Sequence, residues 1–371
     1  MNGKLRAYKI NELKELKIFG RTSNSSNSLV LFWTGSGFEA NVRAGELWIE
    51  VEVDYDIFEQ WISIEIDGEL ISRRMLTKGK YDVCLFRGMN KDIVKNVRVY
   101  KDVQPMPTDN NNMLLIHSLK TDGEFDKVEE KSMNIEFIGD SITSGEGSIG
   151  AKKEDDWISM WFTSHNNYAV MTAKELNADF RIISQSGWGV ACSWDNNPYC
   201  AIPKYYEKIC GVVNGQRNEE LGAFKENDFN SWQPDVIVVN LGTNDDGAFH
   251  NPEFIDEKTA KSYKMHIDDD GKYNEKDVSK FEEAVINFLI KLRKYNANAK
   301  IVWAYGMLGT PMMEYIYDAV THYKREYNDD RVWITQLPDT TDETVGARMH
   351  PGVLSHRAAA KSLANTIKNL K

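Results

Sequence analysis

The sequence predicts a two-domain α/β protein: an N-terminal antiparallel β-sandwich followed by a three-layer α/β/α domain with a five-stranded parallel sheet. Residues 17 to about 125 alternate apolar and polar side chains in many short runs, without a convincing helix. From residue 133 the pattern changes to strand followed by helix, which is typical of a parallel sheet with right-handed crossovers. The charged stretch between them, DKVEEKS, predicts a solvated linker. The predicted borders are 1–125, 126–132 and 133–371.

The sandwich is predicted from a period of two. Stretches such as LVLFWTGSGFEANVRAGELWIEVEVDYD and WISIEIDGELISRRM alternate apolar with polar residues, as strands with one buried face do. Asp67-Gly68 interrupts this pattern and is typical of a hairpin turn. We expect Trp33, Trp48 and Trp61 to pack in the core of this domain.

The second domain is predicted from five strand candidates, each followed by a helical pattern. The strands are 134–138, 180–184, 235–240, 300–305 and 331–335. Helices are predicted near 165–177, 277–294, 312–327 and 355–370. Parallel sheets of this kind bind ligands outside the carboxyl ends of their strands. Candidate functional residues are therefore expected where these strands end.

Composition limits the classes of partner. A formal net charge of -11 argues against binding nucleic acid or anionic membranes, since both require a basic surface. No apolar run approaches a membrane span, and the N-terminus shows no continuous apolar signal region. Four cysteines without metal-site spacing are interpreted as reduced thiols. These features predict a cytoplasmic protein with no membrane or nucleic-acid partner.

Four residues at the predicted strand ends form a chemically coherent set. Ser141 follows the first strand in GDSITSG, Gly187 follows the second in SQSGWG, and Asn244 follows the third in VNLGTND. His350 lies in the loop before the last helix, whereas His356 falls in the first turn of that helix and is expected to serve packing or capping. Acyl transfer needs a hydroxyl nucleophile, a base and donors for an oxyanion. The sequence therefore predicts Ser141 as nucleophile and His350 as base.

Residues 133–371 resemble the SGNH (GDSL-type) hydrolases. The matching blocks are Gly139-Asp140-Ser141, Gly187, Gly242-Thr243-Asn244-Asp245 and His350-Pro351. The N-terminal half, especially LFWTGSGFEANVRAGELWIEVE, is similar to the jelly-roll domain of carbohydrate esterase family 2.

This resemblance implies an esterase that removes acetyl groups from plant polysaccharides such as xylan, mannan or glucomannan, or from their oligosaccharides. It implies an oxyanion hole of the Ser141 and Gly187 backbone N–H groups and the Asn244 amide, with no cofactor and no metal. Trp188, beside Gly187, is a candidate for contact with the sugar. Two alternatives stay open: another SGNH lipid esterase or thioesterase, and a carbohydrate-binding protein with a degenerate esterase domain.

One position departs from the family pattern. The last block is usually D-x-x-H, but Ala347 stands where the acid that orients His350 is expected. Asp339, Asp342 or Glu343 could replace it from the same loop. Some members of family 2 are similar in lacking the acid and hold the ring with main-chain carbonyls. We favour that arrangement, a Ser-His dyad.

Two other stretches imitate known binding motifs. GEGSIG, residues 145–150, has the spacing of a dinucleotide fingerprint, but its glycines begin too far beyond the strand and no acid follows the second strand. HIDDDGKYNEKD, residues 266–277, approximates a calcium loop around Gly271, but His266 stands at the first ligand position and Asp277 replaces the bidentate Glu at the last. Neither motif is taken as a site.

Overall fold

The structure, a computed structural model, describes residues 5–23 and 25–370 and divides into two units. The first unit contains the described residues up to Lys131 together with two later segments, 156–165 and 207–227. The second unit contains the remaining described residues. None of the helices in the described ranges has the length and apolar character that a membrane span requires.

The first unit consists of two antiparallel sheets. Its strands, β1 to β11, are Arg6–Lys9, Lys17–Phe19, Leu29–Val30, Gly37–Arg43, Glu46–Asp54, Gln60–Ile66, Glu69–Leu76, Gly79–Arg87, Val94–Lys101, Met113–Thr121 and Glu124–Asp126. One sheet has the order β1-β10-β5-β8, with β3 also paired to β10. The other has the order β11-β4-β9-β6-β7, with β2 paired to β4. The antiparallel strands predicted for the N-terminal half are confirmed.

Alternating burial explains why these strands form a sandwich. Along β5 every second side chain is buried, and the buried positions join those of β4, β6, β9 and β10 in one apolar core. Trp33 is fully buried, as predicted, although it lies outside this core cluster. Trp48 and Trp61, by contrast, are only partly buried. Trp48 shares the alternate face of β5 with Glu46 and Glu50, so the period of two places it outside the core.

The first unit also includes residues that the sequence did not assign to it. The buried carboxylate of Asp102 accepts hydrogen bonds from the Ser164 backbone N–H at 3.0 Å and from the Ser164 hydroxyl at 2.7 Å. Arg73 donates to the Phe162 carbonyl at 2.6 Å, and Trp33 Nε1 donates to the Ile209 carbonyl at 2.7 Å. Val128, predicted to lie in a solvated linker, is buried. Strand periodicity carries no information about such loop contacts, which depend on tertiary structure.

The second unit is built on a parallel sheet. The strands of this unit, β12 to β18, are Asn134–Gly139, Asp179–Ser184, Val236–Asn240, Phe254–Ile255, Ser262–Tyr263, Lys300–Gly306 and Val332–Leu337. β15 and β16 form a separate antiparallel pair, and the other five strands form the parallel sheet. The α-helices in the described ranges, α1 to α7, are Ser141–Ser144, Tyr168–Glu175, Gln216–Glu220, Thr243–His250, Glu275–Tyr295, Met313–Tyr327 and Val353–Lys368, with α3 in the first unit. The five predicted strands and the mixed α/β fold class are confirmed.

The order of the parallel sheet determines where a site can form. The strands lie in the order β13-β12-β14-β17-β18, so the chain turns to opposite sides of β12 as it continues. Loops that leave neighbouring strands in opposite directions open a crevice at the carboxyl edge. Ser141 follows the end of β12, directly at this position.

The buried ion pair between Asp102 and Arg73 provides a test of how segment 156–165 is held. Asp102→Asn leaves the Arg73 charge without its carboxylate and weakens the contacts with Ser164. We expect a loss of about 3–5 kcal/mol in the free energy of unfolding, measured with urea.

The matched control is Asp82→Asn, which removes an exposed carboxylate from its pair with Lys120. This control should cost less than about 1 kcal/mol. Equal losses for the two variants would mean that the Asp102 cluster adds no more stability than a surface ion pair.

Candidate active site

The turn after β12 presents Ser141 through three local effects. Gly139 permits close approach of helix α1, since a Cβ there would lie 2.1 Å from Thr143 Oγ1 and 2.8 Å from the Asn240 carbonyl oxygen. Asp140 caps the helix by accepting the Ile142 N–H at 3.0 Å. Ser141 is then the first residue of α1, where backbone N–H groups lack partners within the helix. Gly-Asp-Ser is thus a strand end, a helix cap and a helix start.

The structure brings Ser141 and His350 together. Ser141 Oγ lies 3.0 Å from His350 Nε2, and His350 Nδ1 lies 2.7 Å from the Arg348 carbonyl oxygen. A carbonyl can only accept, so Nδ1 must carry the proton of the neutral ring. Nε2 then presents a lone pair to the serine hydroxyl. This is the tautomer that a general base for Ser141 requires.

The three acids considered as replacements lie elsewhere. Asp339 accepts the Gly309 N–H at 3.0 Å, and Asp342 is an exposed side chain 4.0 Å from Lys152. Glu343 is exposed as well. Within the described ranges, none of the three hydrogen-bonds to His350. The geometry agrees with the favoured alternative, in which a main-chain carbonyl holds the ring.

An unusual turn directs that carbonyl at the ring. Arg348 and Met349 both have left-handed backbones, with φ of 55° and 57°. Such conformations are unfavourable for residues with a side chain, by roughly 1–2 kcal/mol each, so surrounding contacts must impose them. The Arg348 N–H donates to the Glu154 carbonyl at 2.7 Å, and Arg348 Nε donates to Glu146 at 2.9 Å. The Gly346 N–H closes the loop on the His350 carbonyl at 2.8 Å.

Gly147 allows the turn that carries His350, residues 346–350 (the histidine loop), to pack against the loop after α1, residues 145–150 (the serine loop). Its φ is +66°, and a Cβ there would lie 2.3 Å from the Ala347 carbonyl oxygen and 2.7 Å from His350 Cβ. Its own carbonyl accepts the Ala347 N–H at 2.9 Å. Gly145 is the left-handed cap of α1, with φ of 74°. Gly145 and Gly147, two of the three glycines in the stretch that imitates a dinucleotide fingerprint, therefore have structural roles here.

Gly187 lies at the end of β13, as the sequence predicts, with a left-handed φ of +79°. Asp245 fixes the loop that follows, because its carboxylate accepts the Val190 and Ala191 N–H groups at 2.9 and 2.8 Å. Burial raises the pKa of Asp245 to about 6, although these N–H donors oppose the shift. Asp245 thus anchors the segment directly after Gly187 and Trp188.

Asn244 begins helix α4 beside the same edge. Its amide donates to Asp140 Oδ2 at 3.2 Å and to the Trp188 carbonyl at 3.1 Å. Burial raises the pKa of Asp140 to about 7, and the neighbouring charges of Asp245 and Glu146 add to this effect. Both amide hydrogens therefore have acceptors in this structure, and one must be redirected for Asn244 to serve an oxyanion.

The two tryptophans near Gly187 differ in exposure. Trp188, the predicted sugar contact, is only 7% exposed and its ring packs against Tyr205, with ring centres 5.0 Å apart. Trp194 is 50% exposed, and its ring lies 3.0 Å from the position of a Cβ on Gly187. The exposed aromatic face at this position thus belongs to Trp194. Trp188 was the predicted sugar contact because it follows Gly187 in the sequence. The exposure of a tryptophan side chain, however, depends on how this loop folds, and the sequence does not show that.

Glu146 is a second residue that the sequence analysis did not select. Its side chain is almost fully buried, and Oε1 lies 3.8 Å from His350 Nε2. Burial alone would raise its pKa, but the His350 and Arg348 charges and the Ser186 hydroxyl outweigh burial and hold the pKa below its ordinary value. The sequence did offer a signal for this residue. Glu146 is a charged side chain between Gly145 and Gly147, in a loop that begins only a few residues after Ser141.

His356 has the structural role that was expected of it. Its Nδ1 accepts the Tyr168 backbone N–H at 3.0 Å, and its ring stacks on that of Tyr168. Burial lowers the pKa of His356 to about 3, with the His350 charge acting in the same direction. The imidazole is therefore neutral at physiological pH.

In the stretch that resembles a calcium loop, residues 266–277, the Asp277 carboxylate binds protein groups. Asp277 binds His266 Nδ1 at 2.7 Å and Lys280 at 2.6 Å.

Comparison with solved structures identifies several similar chains. Est2A, an acetyl xylan esterase from the rumen bacterium Butyrivibrio proteoclasticus, is 47% identical, with a TM-score of 0.97 and 98% of each chain covered. A family two carbohydrate esterase from Clostridium thermocellum, in complex with cellohexaose, has the same fold at 23% identity and a TM-score of 0.76. That match covers 95% of this chain and 98% of the other.

Comparison with curated proteins gives partial matches. Cellulase/esterase CelE of Acetivibrio thermocellus is 29% identical over 241 residues, which are 63% of this chain and 25% of CelE. An acetylxylan esterase / glucomannan deacetylase of Cellvibrio japonicus is 30% identical over 109 residues, 29% of this chain and 28% of that protein. The matched regions thus span about a quarter of the length of these relatives. No protein-family model matches the chain.

The close docking at Gly147 can be tested by adding one methyl group. Gly147→Ala should displace His350, because the new Cβ collides with the Ala347 carbonyl and with His350 Cβ. We expect kcat for 4-nitrophenyl acetate to fall by about 10²-fold or more, as small misplacements of reacting groups do.

The matched control is Gly271→Ala, which has a comparable φ of +83° but nothing within 4 Å of its Cβ. It bears the backbone strain without the collision and should keep its activity within about three-fold. Similar activity of the two variants would contradict the docking role of Gly147.

Proposed function

The chain belongs to carbohydrate esterase family 2 within the SGNH hydrolases, and we propose that it is a carbohydrate O-acetylesterase. Its substrates are acetylated sugars from plant polysaccharides such as xylan, mannan or glucomannan, as polymers or oligosaccharides. The substrate class is supported by the names of its relatives: an acetyl xylan esterase and an acetylxylan esterase / glucomannan deacetylase. The observation that carries the chemistry is the 3.0 Å contact between Ser141 Oγ and His350 Nε2.

The first half-reaction acylates Ser141. Its Oγ attacks the acetyl carbonyl carbon while His350 Nε2 takes the hydroxyl proton, which gives a tetrahedral oxyanion and an imidazolium. The oxyanion then collapses and the bond to the sugar oxygen breaks. His350 gives its proton to that oxygen, so a free sugar hydroxyl leaves and acetyl-Ser141 remains.

The second half-reaction regenerates the enzyme with water. His350 takes a proton from the attacking water, whose oxygen bonds to the acetyl carbon, and returns that proton to Ser141 Oγ as acetate departs. Each proton passes through Nε2, so the reaction needs no cofactor. The Arg348 carbonyl keeps Nδ1 protonated throughout the cycle, which leaves Nε2 as the exchanging nitrogen.

The proposed oxyanion hole consists of the Ser141 and Gly187 backbone N–H groups and the Asn244 amide. Ser141 N–H is at the first turn of α1, where the helix leaves donors unpaired and favours negative charge. The left-handed Gly187 allows its N–H to face the same space. Asn244 joins by exchanging its 3.1 Å contact with the Trp188 carbonyl for the oxyanion, a stronger acceptor.

We further propose that Trp194 is the sugar platform of this site. Its support is a half-exposed indole that lies between Gly187 and Gly247, the latter on the helix that carries Asn244. An amphipathic aromatic ring buries apolar area against the hydrogen-bearing face of a sugar. Trp188 acts instead through its carbonyl, which holds Asn244.

The proposal includes a jelly-roll topology for the antiparallel sheets of the first unit.

It also includes a cytoplasmic location for the protein. This location is supported by the cysteines, all four of which are free thiols in the described ranges. Burial raises the pKa of Cys210 to about 11 and that of Cys200 also to about 11, so these thiols are unreactive at physiological pH. An acetylated oligosaccharide that enters the cell then fits as the substrate better than an extracellular polymer.

The nucleophile is tested with Ser141→Ala. Acetate release from acetylated xylo-oligosaccharides should fall by on the order of 10⁴-fold or more, because no other hydroxyl contacts His350 Nε2 within the described ranges. The control is Ser279→Ala, which removes an exposed hydroxyl on α5 and should leave the rate unchanged. Residual activity above about a tenth of wild type, in a folded variant, would exclude the serine mechanism.

The platform is tested with Trp194→Ala. KM for an acetylated xylo-oligosaccharide should rise about ten-fold, whereas hydrolysis of 4-nitrophenyl acetate should change less than about two-fold, because that ester has no sugar to stack. Tyr317→Ala, which removes another exposed aromatic side chain from α6, should affect neither substrate. If the variant loses both activities equally, Trp194 supports the loop rather than the substrate.

A further inference from the structure

The dyad leaves one part of a catalytic triad unaccounted for. A triad acid orients the histidine and also stabilises the positive charge that the ring gains during proton transfer. The Arg348 carbonyl performs the first task through its 2.7 Å contact with Nδ1. A carbonyl has no net charge, so it performs the second task much less well than a carboxylate. A separate anion near His350 is needed.

Glu146 is positioned to be that anion. Its Oε1 lies 3.8 Å from His350 Nε2, and the carboxylate is 3% exposed, so little water screens its charge. The distance is too long for a hydrogen bond, which means that Glu146 does not compete with Ser141 for the Nε2 position. It is nevertheless within the range over which an opposite charge stabilises an imidazolium.

Arg348 holds Glu146 without cancelling its effect on the ring. Arg348 Nε binds the same oxygen, Oε1, at 2.9 Å. The side chain of Arg348 is 30% exposed, whereas that of Glu146 is 3% exposed, so solvent screens the cation more than the anion. The ion pair thus fixes the carboxylate and also tethers the turn whose carbonyl holds His350.

The other ionisable groups around His350 do not provide this charge. His356, on α7, is neutral because burial lowers its pKa to about 3. Asp140, the residue that caps α1, is engaged by the Ile142 N–H and the Asn244 amide, and burial raises its pKa to about 7, which disfavours its charged form. Glu146 has the opposite response, since the His350 and Arg348 charges outweigh burial and hold its pKa below the ordinary value.

We propose that Glu146 is a positioning residue that acts through His350, stabilising the protonated ring while the Arg348 carbonyl orients it. The two tasks of the missing acid at position 347 are thereby divided between a side chain of the serine loop and a main-chain group of the histidine loop. This inference rests on the proposed esterase function and assigns a further residue to the same site.

The test is the pH dependence of kcat/KM for 4-nitrophenyl acetate in wild type and Glu146→Gln. Without the anion His350 is harder to protonate, so its base form persists to lower pH. We expect the acid limb to move down by about one pH unit, and kcat to fall about ten-fold or more. A limb that stays in place or moves up overturns the proposal.

Arg348→Met separates the charge of Glu146 from its tether. This variant keeps the carbonyl of residue 348 and leaves Glu146 without its cation, so kcat should fall while the acid limb does not move down. If Arg348→Met and Glu146→Gln move the limb down equally, Glu146 acts only through the tether and the proposal is wrong. The control Glu343→Gln removes an exposed glutamate of the same loop and should leave the limb in place. A shift in this control would mean that the limb reports overall charge.

Glu146→Asp keeps the test decisive if Glu146→Gln does not fold. It retains the charge at a longer distance, so its acid limb should lie below that of wild type by less than one unit. A limb at or above that of wild type would contradict a role of the charge.

Failure of the esterase proposal gives a different result. In that case wild type releases no acetate from acetylated xylo-oligosaccharides. Ser141 would still react with phenylmethanesulfonyl fluoride, and the pH dependence of this reaction, followed by intact mass, reports the same base without ester turnover. The Glu146→Gln shift in that profile supports or overturns the role of Glu146 independently of the substrate.

Discussion

The hydrogen bond from His350 Nδ1 to the Arg348 carbonyl is the interaction on which the rest of the site depends. Because the acceptor has no proton to give, it determines which ring nitrogen carries hydrogen and leaves the Nε2 lone pair facing Ser141. The bond requires a turn with two left-handed residues, and that turn is held from outside by Glu146 and by the Glu154 carbonyl. Gly147 then allows the loop to dock within reach of the serine. Local strain, loop docking and tautomer are thus parts of one arrangement.

Asp140, Asp245 and Glu146 are buried carboxylates near this arrangement, and their environments shift their pKa values in different directions. Asp140 and Asp245 face mainly backbone N–H groups, which do not fully offset burial, and their pKa values rise to about 7 and about 6. Glu146 faces the Arg348 guanidinium and the His350 ring, and its pKa falls because interactions with the positive charges of these groups outweigh burial. Burial is common to all three, so the difference comes from the partners. The first two carboxylates serve as cap and loop anchor, and of the three only Glu146 lies at ion-pair distance from His350.

Sequence reasoning predicted the fold and the residues near the site to different extents. The carboxyl ends of parallel strands meet at one edge, so the placement of Ser141, Gly187 and Asn244 followed from locating β12, β13 and β14. The main-chain solution for His350 was favoured, but the particular carbonyl depends on left-handed backbone angles that an Arg-Met pair does not signal. Glu146 was overlooked because its neighbouring glycines suggested a different motif. Trp194 was missed because the exposure of its side chain depends on the tertiary structure. The period-two alternation along β5, by contrast, would have placed Trp48 on the face that points away from the core.

The path of the chain through the two units has a consequence for how such a protein can be rearranged. Segments 156–165 and 207–227 belong to the first unit but are encoded within the second, so neither unit corresponds to one uninterrupted stretch of sequence. A single cut after the sandwich strands separates Asp102 from Ser164 and Trp33 from Ile209, which are partners within one unit. A fragment that ends after the sandwich strands therefore lacks part of its own unit, and an exchange of this unit between proteins has to carry all three of its segments.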